Sequence, residues 1–172
     1  SRAEFERGTG PYVGYEIPRM GYYLGRWIRH GEWYPDVKLR LFHKEYCRTQ
    51  GIEPHDHVVV NGPVKRLKNP VWHYTYEDVE DQMATLNRFS TISARQKVLH
   101  EMPFRWSDLL FRPPFRFLKG YILKGGIFDG SRGLMIALIS SMGALVKYIK
   151  LWESHLQEKG RFPTEPPDLS DG

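Results

Sequence analysis

Cysteine is almost missing from this sequence: Cys47 stands alone among 172 residues. An internal disulfide is therefore impossible, nothing points to an oxidising compartment, and the cytoplasm is the expected location. Internal repeats are absent, which excludes solenoids and arrays. A long uncharged apolar run is lacking too. The stretch between Arg132 and Lys147 holds fourteen uncharged residues, short of the roughly 20 that a membrane-spanning helix needs. Metal-ligand clusters are scarce: His55, Asp56 and His57 adjoin, but no second group at ligand spacing accompanies them, so no metal site is expected among these residues. Acid is in the minority. A formal net charge of +5 and a pI near 9.3 favour anionic partners, without choosing among phosphates, nucleic acid and an acidic membrane surface.

What is present suffices for a folded chain. Apolar residues make up 41% and aromatics 14%, values that exclude wholesale disorder, and the length fits one domain or the larger part of one. Val37 to Phe42 alternates, with Val37, Leu39 and Leu41 on one face and Lys38, Arg40 and Phe42 on the other, the period of a half-buried strand. His57 to Val60 reads as a second short strand closed by the turn Asn61, Gly62, Pro63. Thr75 is placed to cap a helix running to about Lys97, with acids at Glu77, Asp78, Glu80 and Asp81 near its positive end and an apolar stripe at Val79, Met83 and Leu86. Pro103, Pro113 and Pro114 are expected to break the next region into short pieces. A second helix is expected from about Ser131 to Gln157, and the proline-rich tail from Phe162 is expected to be disordered.

The densest chemistry lies in Arg26 to Phe42, RWIRHGEWYPDVKLRLF, where two tryptophans, a tyrosine, a histidine, three arginines and Asp36 fall together. Guanidinium forks match phosphate oxygens in pairs, which makes Arg26, Arg29 and Arg40, with His30, candidates for a diphosphate or an anionic acceptor. Trp33 and Tyr34 present ring faces on which a sugar can stack, although such rings ordinarily pack a core. Asp36, held behind Pro35 at a strand entrance, reads as a turn acid. Asp56, in the loop after Pro54, reads on its own as a turn cap. His73, just before the helix, reads as a hydrogen-bonded structural residue.

Four segments in order carry a resemblance: GYEIPRMGYYLG, RWIRHGEWYPDVKLRLF, HDHVVVNGPVKRLKNPVWHYTYED and KGYILKGGIFDGSRGLMIALISSMGALVKYIKLWE. From about Gly14 to Glu153 the chain resembles the carboxyl-terminal part of bacterial family 2 glycosyltransferases, most of all those that add sugars to the lipopolysaccharide core or related envelope glycans. The resemblance implies an α/β fold: the carboxyl-terminal part of a GT-A (nucleotide-diphospho-sugar transferase) fold, short strands followed by helices, with a partly helical extension. Residues 1–100 would form the acceptor side of the catalytic domain, 101–160 an aromatic, basic connector and apolar helix facing a membrane or partner, and 161–172 a tail.

That family's amino-terminal half binds the nucleotide sugar and carries an Asp-x-Asp metal motif. Neither element occurs in this sequence, so the chain is expected to be part of a longer enzyme. The implied divalent cation, Mg or Mn, then has its ligand motif elsewhere. An inverting transfer needs a carboxylate to take the acceptor's proton. In the family a His-Glu pair following the RLF strand supplies it; here the pair is His55 and Asp56, with aspartate shortening the reach by one methylene. Asp36 and His73 become acceptor-side or structural site residues. The implied partners are a nucleotide sugar and a lipid-linked or lipopolysaccharide-core acceptor. The helix after Ser131, apolar on almost every side and flanked by Lys119, Lys124, Arg132, Lys147 and Lys150, suits peripheral membrane contact and equally a homo-oligomer or packing against the absent half.

Two other classes stand beside this reading. A noncatalytic membrane- or protein-interaction module would use the same basic, aromatic face. Nucleic-acid binding finds interleaved bases and aromatics at Arg26, Trp27, Arg29 and Arg105, Trp106, but the acidic run from Glu77 to Asp81 opposes a basic groove, and nucleic acid is not expected as a partner.

Overall fold

The computed structural model describes residues 11–50 and 57–160. The chain is mixed α/β, with short strands followed by helices. Its spine is β1 (Gly14–Tyr23), after which come β2 (Arg26–Trp27), β3 (Asp36–Phe42), β4 (Cys47–Gln50), β5 (His57–Val60), β6 (Val64–Arg66) and β7 (Val71–Tyr74). β3 and β2 pair antiparallel with β1, while β6 and β7 pair parallel with it. Since Tyr22 has both Trp27 and Tyr74 as partners, β2 and β7 must lie on opposite edges of the spine. Pro18 falls between the β6 and β7 pairings, where its missing N–H costs no ladder bond on that edge. Leu24 and Gly25 turn β1 into β2 with positive φ at both positions, 43° and 84°, the backbone of a tight primed hairpin.

The strand expected at residues 37–42 is present, and its alternation places Lys38 and Arg40 outward with Leu39 and Leu41 half-buried. β5 also forms, but it pairs antiparallel with β4 in a separate two-stranded ribbon. The tail from Phe162 lies outside the described residues.

Three helices follow: α1 (Val79–Leu99), α2 (Trp106–Leu118) and α3 (Gly130–Glu158). Asp78, not Thr75, caps α1: its Oδ1 accepts from the Asp81 N–H at 2.8 Å. Thr75 comes three residues too early and instead sets its hydroxyl against Gly21. The expected apolar stripe is also displaced. Val79 is exposed and the buried positions of α1 are Gln82, Ser90 and Ala94, because α3 crosses close at Gly143 and Ala144 and brings Lys150 into the joint. Lys150 Nζ lies 2.6–2.9 Å from the Asn87 carbonyl and Oδ1, Ser90 Oγ and Thr91 Oγ1, four acceptors for its three N–H groups. A polar, small-residue face suits that contact better than a leucine stripe.

The region containing Pro113 and Pro114 is one continuous helix rather than short pieces. α2 lies antiparallel on α3, with Trp106 against Trp152, the Pro113 carbonyl accepting from Ser141 Oγ at 2.8 Å, and Gly120 facing Ala137. These contacts hold the helix where two N–H groups are missing. A π-helical turn at Lys119–Leu123 and a 3-10 turn at Gly126–Asp129 lead into α3. Gly31, Gly120, Gly126 and Gly133 meet there. The Gly31 N–H donates to the Lys124 carbonyl at 2.9 Å, and a Cβ on Gly133 would sit 1.8 Å from the Gly126 carbonyl oxygen.

The helical stretch Gly126–Glu158 is long and apolar enough to cross a membrane by length and composition alone, with a mean hydropathy of 1.6 in its best window. The fourteen-residue run was therefore too narrow a measure, since the helix continues past Arg132 and Lys147 at both ends. The core joins the layers: Tyr23 of β1 and Ile28, just after β2, pack with Ile136 of α3, flanked by Trp33 and Tyr76.

Candidate functional site

Register brings the first charges together. Arg19 of β1 lies opposite Asp36 of β3, and its Nη2 is 2.5 Å from Asp36 Oδ2. Lys38 Nζ approaches the other carboxylate oxygen at 3.2 Å. From the opposite edge of the spine, His73 of β7 comes beside Gly21, and its Nε2 lies 3.3 Å from Arg19 Nη1. Arg40, on the same face of β3 as Asp36 and Lys38, adds its positive charge to the field at His73. Arg19, Asp36, Lys38 and His73 line a cavity of about 300 Å³, with Glu32, Trp33 and Tyr76 as further walls. Gly21 forms part of the wall and leaves the space that Thr75 and Trp33 occupy.

An arginine has no acceptor, so Nε2 of His73 must accept from Arg19 and the imidazole is neutral in that contact. Burial, followed by the charges of Arg19 and Arg40, pushes the His73 pKa below its ordinary 6.5. The native state thus binds a proton less readily than the unfolded chain, and the sign follows. Stability is expected to fall as the pH drops below about 6.5, the unfolded value. Melting temperatures between pH 7.5 and 5 check this. His73→Asn should flatten the decline, and an unchanged slope would assign it to other groups.

Three of the expected phosphate or acceptor residues, Arg26, Arg29 and His30, lie elsewhere. Arg26 and His30 line a separate open cavity of about 540 Å³ with Phe128 and Asp129. The Asp129 carboxylate accepts from the Arg29 N–H at 3.1 Å and the His30 N–H at 2.8 Å, and lies 3.3 Å from His30 Nδ1. This largely buried acid ties the 29–30 loop to the start of α3. Arg29 is exposed. Trp33 sits edge-on to Tyr23, with centroids 5.0 Å apart, and leans on Tyr76, so its ring serves the core as well as the cavity wall. Tyr34 is half-buried and joined to Pro35 by a cis peptide bond. His55 and Asp56 lie outside the described residues.

Sequence reasoning missed Arg19, Lys38 and Asp129 as site residues. Arg19 had a signal in principle, since a strand at residues 14–23 places it in register with Asp36. It also missed an aromatic cluster on the reverse face of the sheet. There Trp72 and Tyr74, 73% and 72% exposed, adjoin Tyr22 and Trp27 at 5.4–5.9 Å between ring centroids. Alternation in VWHYTY explains it: His73 faces the charged cavity, and its neighbours face away.

Among the described residues no three of His, Cys, Asp and Glu converge to hold a metal ion. Of the two carboxylates lining the cavity, Asp36 lies between Arg19 and Lys38, and Glu32 is bonded by Arg116. These residues do not fit a divalent cation.

A third, interhelical cavity of about 230 Å³ shares Trp33 and Tyr76 with the first and includes Arg116 and Lys147. Arg116 bonds Glu32 at 3.2 Å. Burial and the neighbouring charges of Lys97, Arg116 and Arg112 lower the Lys147 pKa.

No family model matches the chain, and no solved structure matches it. Over 147 residues, 83% of its length, the chain is 25% identical to the lipopolysaccharide core biosynthesis glycosyltransferase LpsC of Rhizobium meliloti (strain 1021). The relationship is distant and glycosyltransferase-like. The chain spans about half the length of this curated relative, 54% of it.

Proposed function

We propose that the chain is the acceptor-side, carboxyl-terminal portion of an inverting family 2 glycosyltransferase of GT-A type. It would act in the cytoplasm on a lipid-linked or lipopolysaccharide-core acceptor. The observation that carries this reading is the similarity to a lipopolysaccharide core glycosyltransferase along most of the chain. The gathering of Arg19, Asp36, Lys38 and His73 in one cavity supports it. Residues 1–100 would form the acceptor wall, and residues 101–160 the helical support beneath it.

In this reading Asp56 takes the proton from the acceptor hydroxyl as that oxygen attacks the anomeric carbon, and the bond to the nucleoside diphosphate breaks on the opposite side. His55 adjoins it as the family's histidine. Arg19 and Lys38 hold Asp36 at the mouth of β3, and Arg40 on the same face of the strand adds a further positive charge; such guanidinium and ammonium groups suit a phosphorylated acceptor or a departing diphosphate. Arg26 and His30 would contact a more distant part of the acceptor from their own cavity. Trp33 and Tyr34 would border the sugar. In this reading the nucleotide pocket and the implied cation belong to an amino-terminal half outside this sequence.

The test is sugar transfer from nucleotide sugars to core acceptors by the complete gene product and by the 172-residue chain. The complete protein is expected to release one nucleoside diphosphate for each sugar transferred, and the chain alone to transfer none. Turnover by the chain alone overturns the fragment reading. A complete protein with no donor-binding half leaves the noncatalytic interaction module in its place.

A further inference from the structure

We propose that α2, the turns that follow it and the outer face of α3 form a docking surface for an anionic lipid bilayer, on which the protein lies in the membrane plane. A helix at the surface of a soluble protein turns its apolar stripe inward. α2 does the reverse on one face. Leu110, Phe111, Pro114, Phe115, Leu118 and Ile122 recur at helical spacing on the outward side, while Pro113 and Gly120 are the buried positions. The stripe continues through Leu123 and Phe128, which are 72% and 77% exposed, as Phe111 is at 70%. On α3, Met135, Leu138, Leu145, Ile149 and Trp152 are exposed at steps of three, seven, four and three, and Trp152 meets Trp106 at 5.9 Å between ring centroids. The two apolar stripes join there into a patch much larger than single scattered side chains.

Charge complementarity selects the occupant. From Arg105 to Lys124 the segment carries Arg105, Arg112, Arg116, Lys119 and Lys124 against the single acid Asp108. Asp108 is engaged by Arg112 at 2.6 Å. Arg105, Lys119 and Lys124 are exposed and make no ion pair among the described residues. An apolar stripe bordered by cations is the pattern of an interfacial helix, whose rings enter the acyl boundary while lysine and arginine meet anionic headgroups. α3 has the length and composition of a spanning helix, but its inner face is fixed sideways. Lys150 reaches four acceptors on α1, and Tyr148 and Leu151 are fully buried against its neighbours. Spanning would break that joint; lying flat keeps it.

This inference names the lipid partner of the proposed transferase, yet vesicle binding requires no sugar transfer, so each reading can fail alone. The test is co-sedimentation of the full chain, and of the complete gene product, with phosphatidylcholine vesicles and with vesicles containing about a third phosphatidylglycerol. Binding is expected to the anionic vesicles and to weaken about tenfold on neutral vesicles or in high salt. Two variants at exposed positions, Phe111→Ser/Phe115→Ser/Leu118→Ser and Leu123→Ser/Phe128→Ser, are expected to reduce binding at least about tenfold with helix content unchanged by circular dichroism. Binding that persists in whichever variant keeps its helix content overturns the proposal. So does a parent chain that stays in solution, or a dimer that the triple variant abolishes, which would give the face to a second copy. Binding by the chain but not by the complete protein would give it to the rest of the polypeptide.

Discussion

Gly133→Ala is expected to destabilise the protein by about 3 kcal/mol, the upper part of the usual range for overpacking a filled site. Gly143→Ala in the same helix is expected to be neutral or to stabilise by up to about 1 kcal/mol. The two residues share a helical backbone, so propensity favours alanine at both. They differ in what a methyl group would meet. At Gly133 it would sit 1.8 Å from the Gly126 carbonyl oxygen and 2.7 Å from its carbon, backbone atoms that cannot turn aside. At Gly143 the nearest atoms are the end of the Leu86 side chain at 3.4 Å, an ordinary contact. Relief at Gly133 requires α3 to move off the Gly126 turn, and Gly126 is itself confined: a Cβ there would lie 2.7 Å from the Gly120 carbonyl oxygen. Urea or thermal unfolding measures the difference. A loss of 3 kcal/mol corresponds to a melting temperature lower by roughly 6–12 °C at this chain length. Equal melting of the two variants would show that the crossing is looser than described.

In the complete protein, Asp56→Asn is expected to lower kcat by about 10²–10⁴, the usual contribution of a positioned general base, or roughly 3–5 kcal/mol of barrier. Melting and acceptor KM should stay close to the parent's, because the change removes proton-accepting ability and little else. Asp36→Asn separates the two carboxylates. Each oxygen of Asp36 already meets a cation, Arg19 on one side and Lys38 on the other, so its expected role is to position those cations. Its replacement should raise the acceptor KM and lower the melting temperature, with the smaller effect on kcat. The pH profile supplies an independent readout: loss of the base should remove the acidic limb of kcat, and loss of a positioning residue should leave that limb in place. If instead Asp36→Asn abolishes turnover and the acidic limb while Asp56→Asn leaves both intact, the two roles are exchanged.

Alternation made β3 legible in the sequence, because one face of that strand is half-buried and the other carries Lys38 and Arg40. α3 was legible from its length and apolar content, within a residue at each end. The start of α1 was not. Thr75 and Asp78 are both capable caps, and the choice was made by packing: Thr75 is drawn against Gly21. α2 was misread because proline predicts breaks from local backbone terms, whereas here Ser141 and the surface of α3 hold the helix together across Pro113. The site divided in the same way. Asp36 and His73 were visible as residue types, but their meeting depends on Arg19, which the pairing of three strands brings between them. Arg26 and His30, close to Asp36 in sequence, were separated from it by the contacts of Asp129 with the 29–30 loop. That acid comes about a hundred residues later in the chain, so local spacing carried no trace of it.

The central position of β1 also constrains how the protein is made. Its antiparallel partners arrive early, but the parallel ones come only at Val64–Arg66 and Val71–Tyr74, so one edge of the spine is open until Val64 and is not closed until synthesis has passed Tyr74. During that interval a ten-residue strand presents unpaired backbone groups to whatever is nearby, the circumstance in which strand edges recruit foreign chains. Closing a parallel ladder over so long a loop is slow relative to forming a hairpin or helix. Translation arrested before Val64 has emerged leaves this edge bare; translation arrested after Tyr74 has emerged leaves it paired. Nascent chains of those two lengths should differ sharply in aggregation.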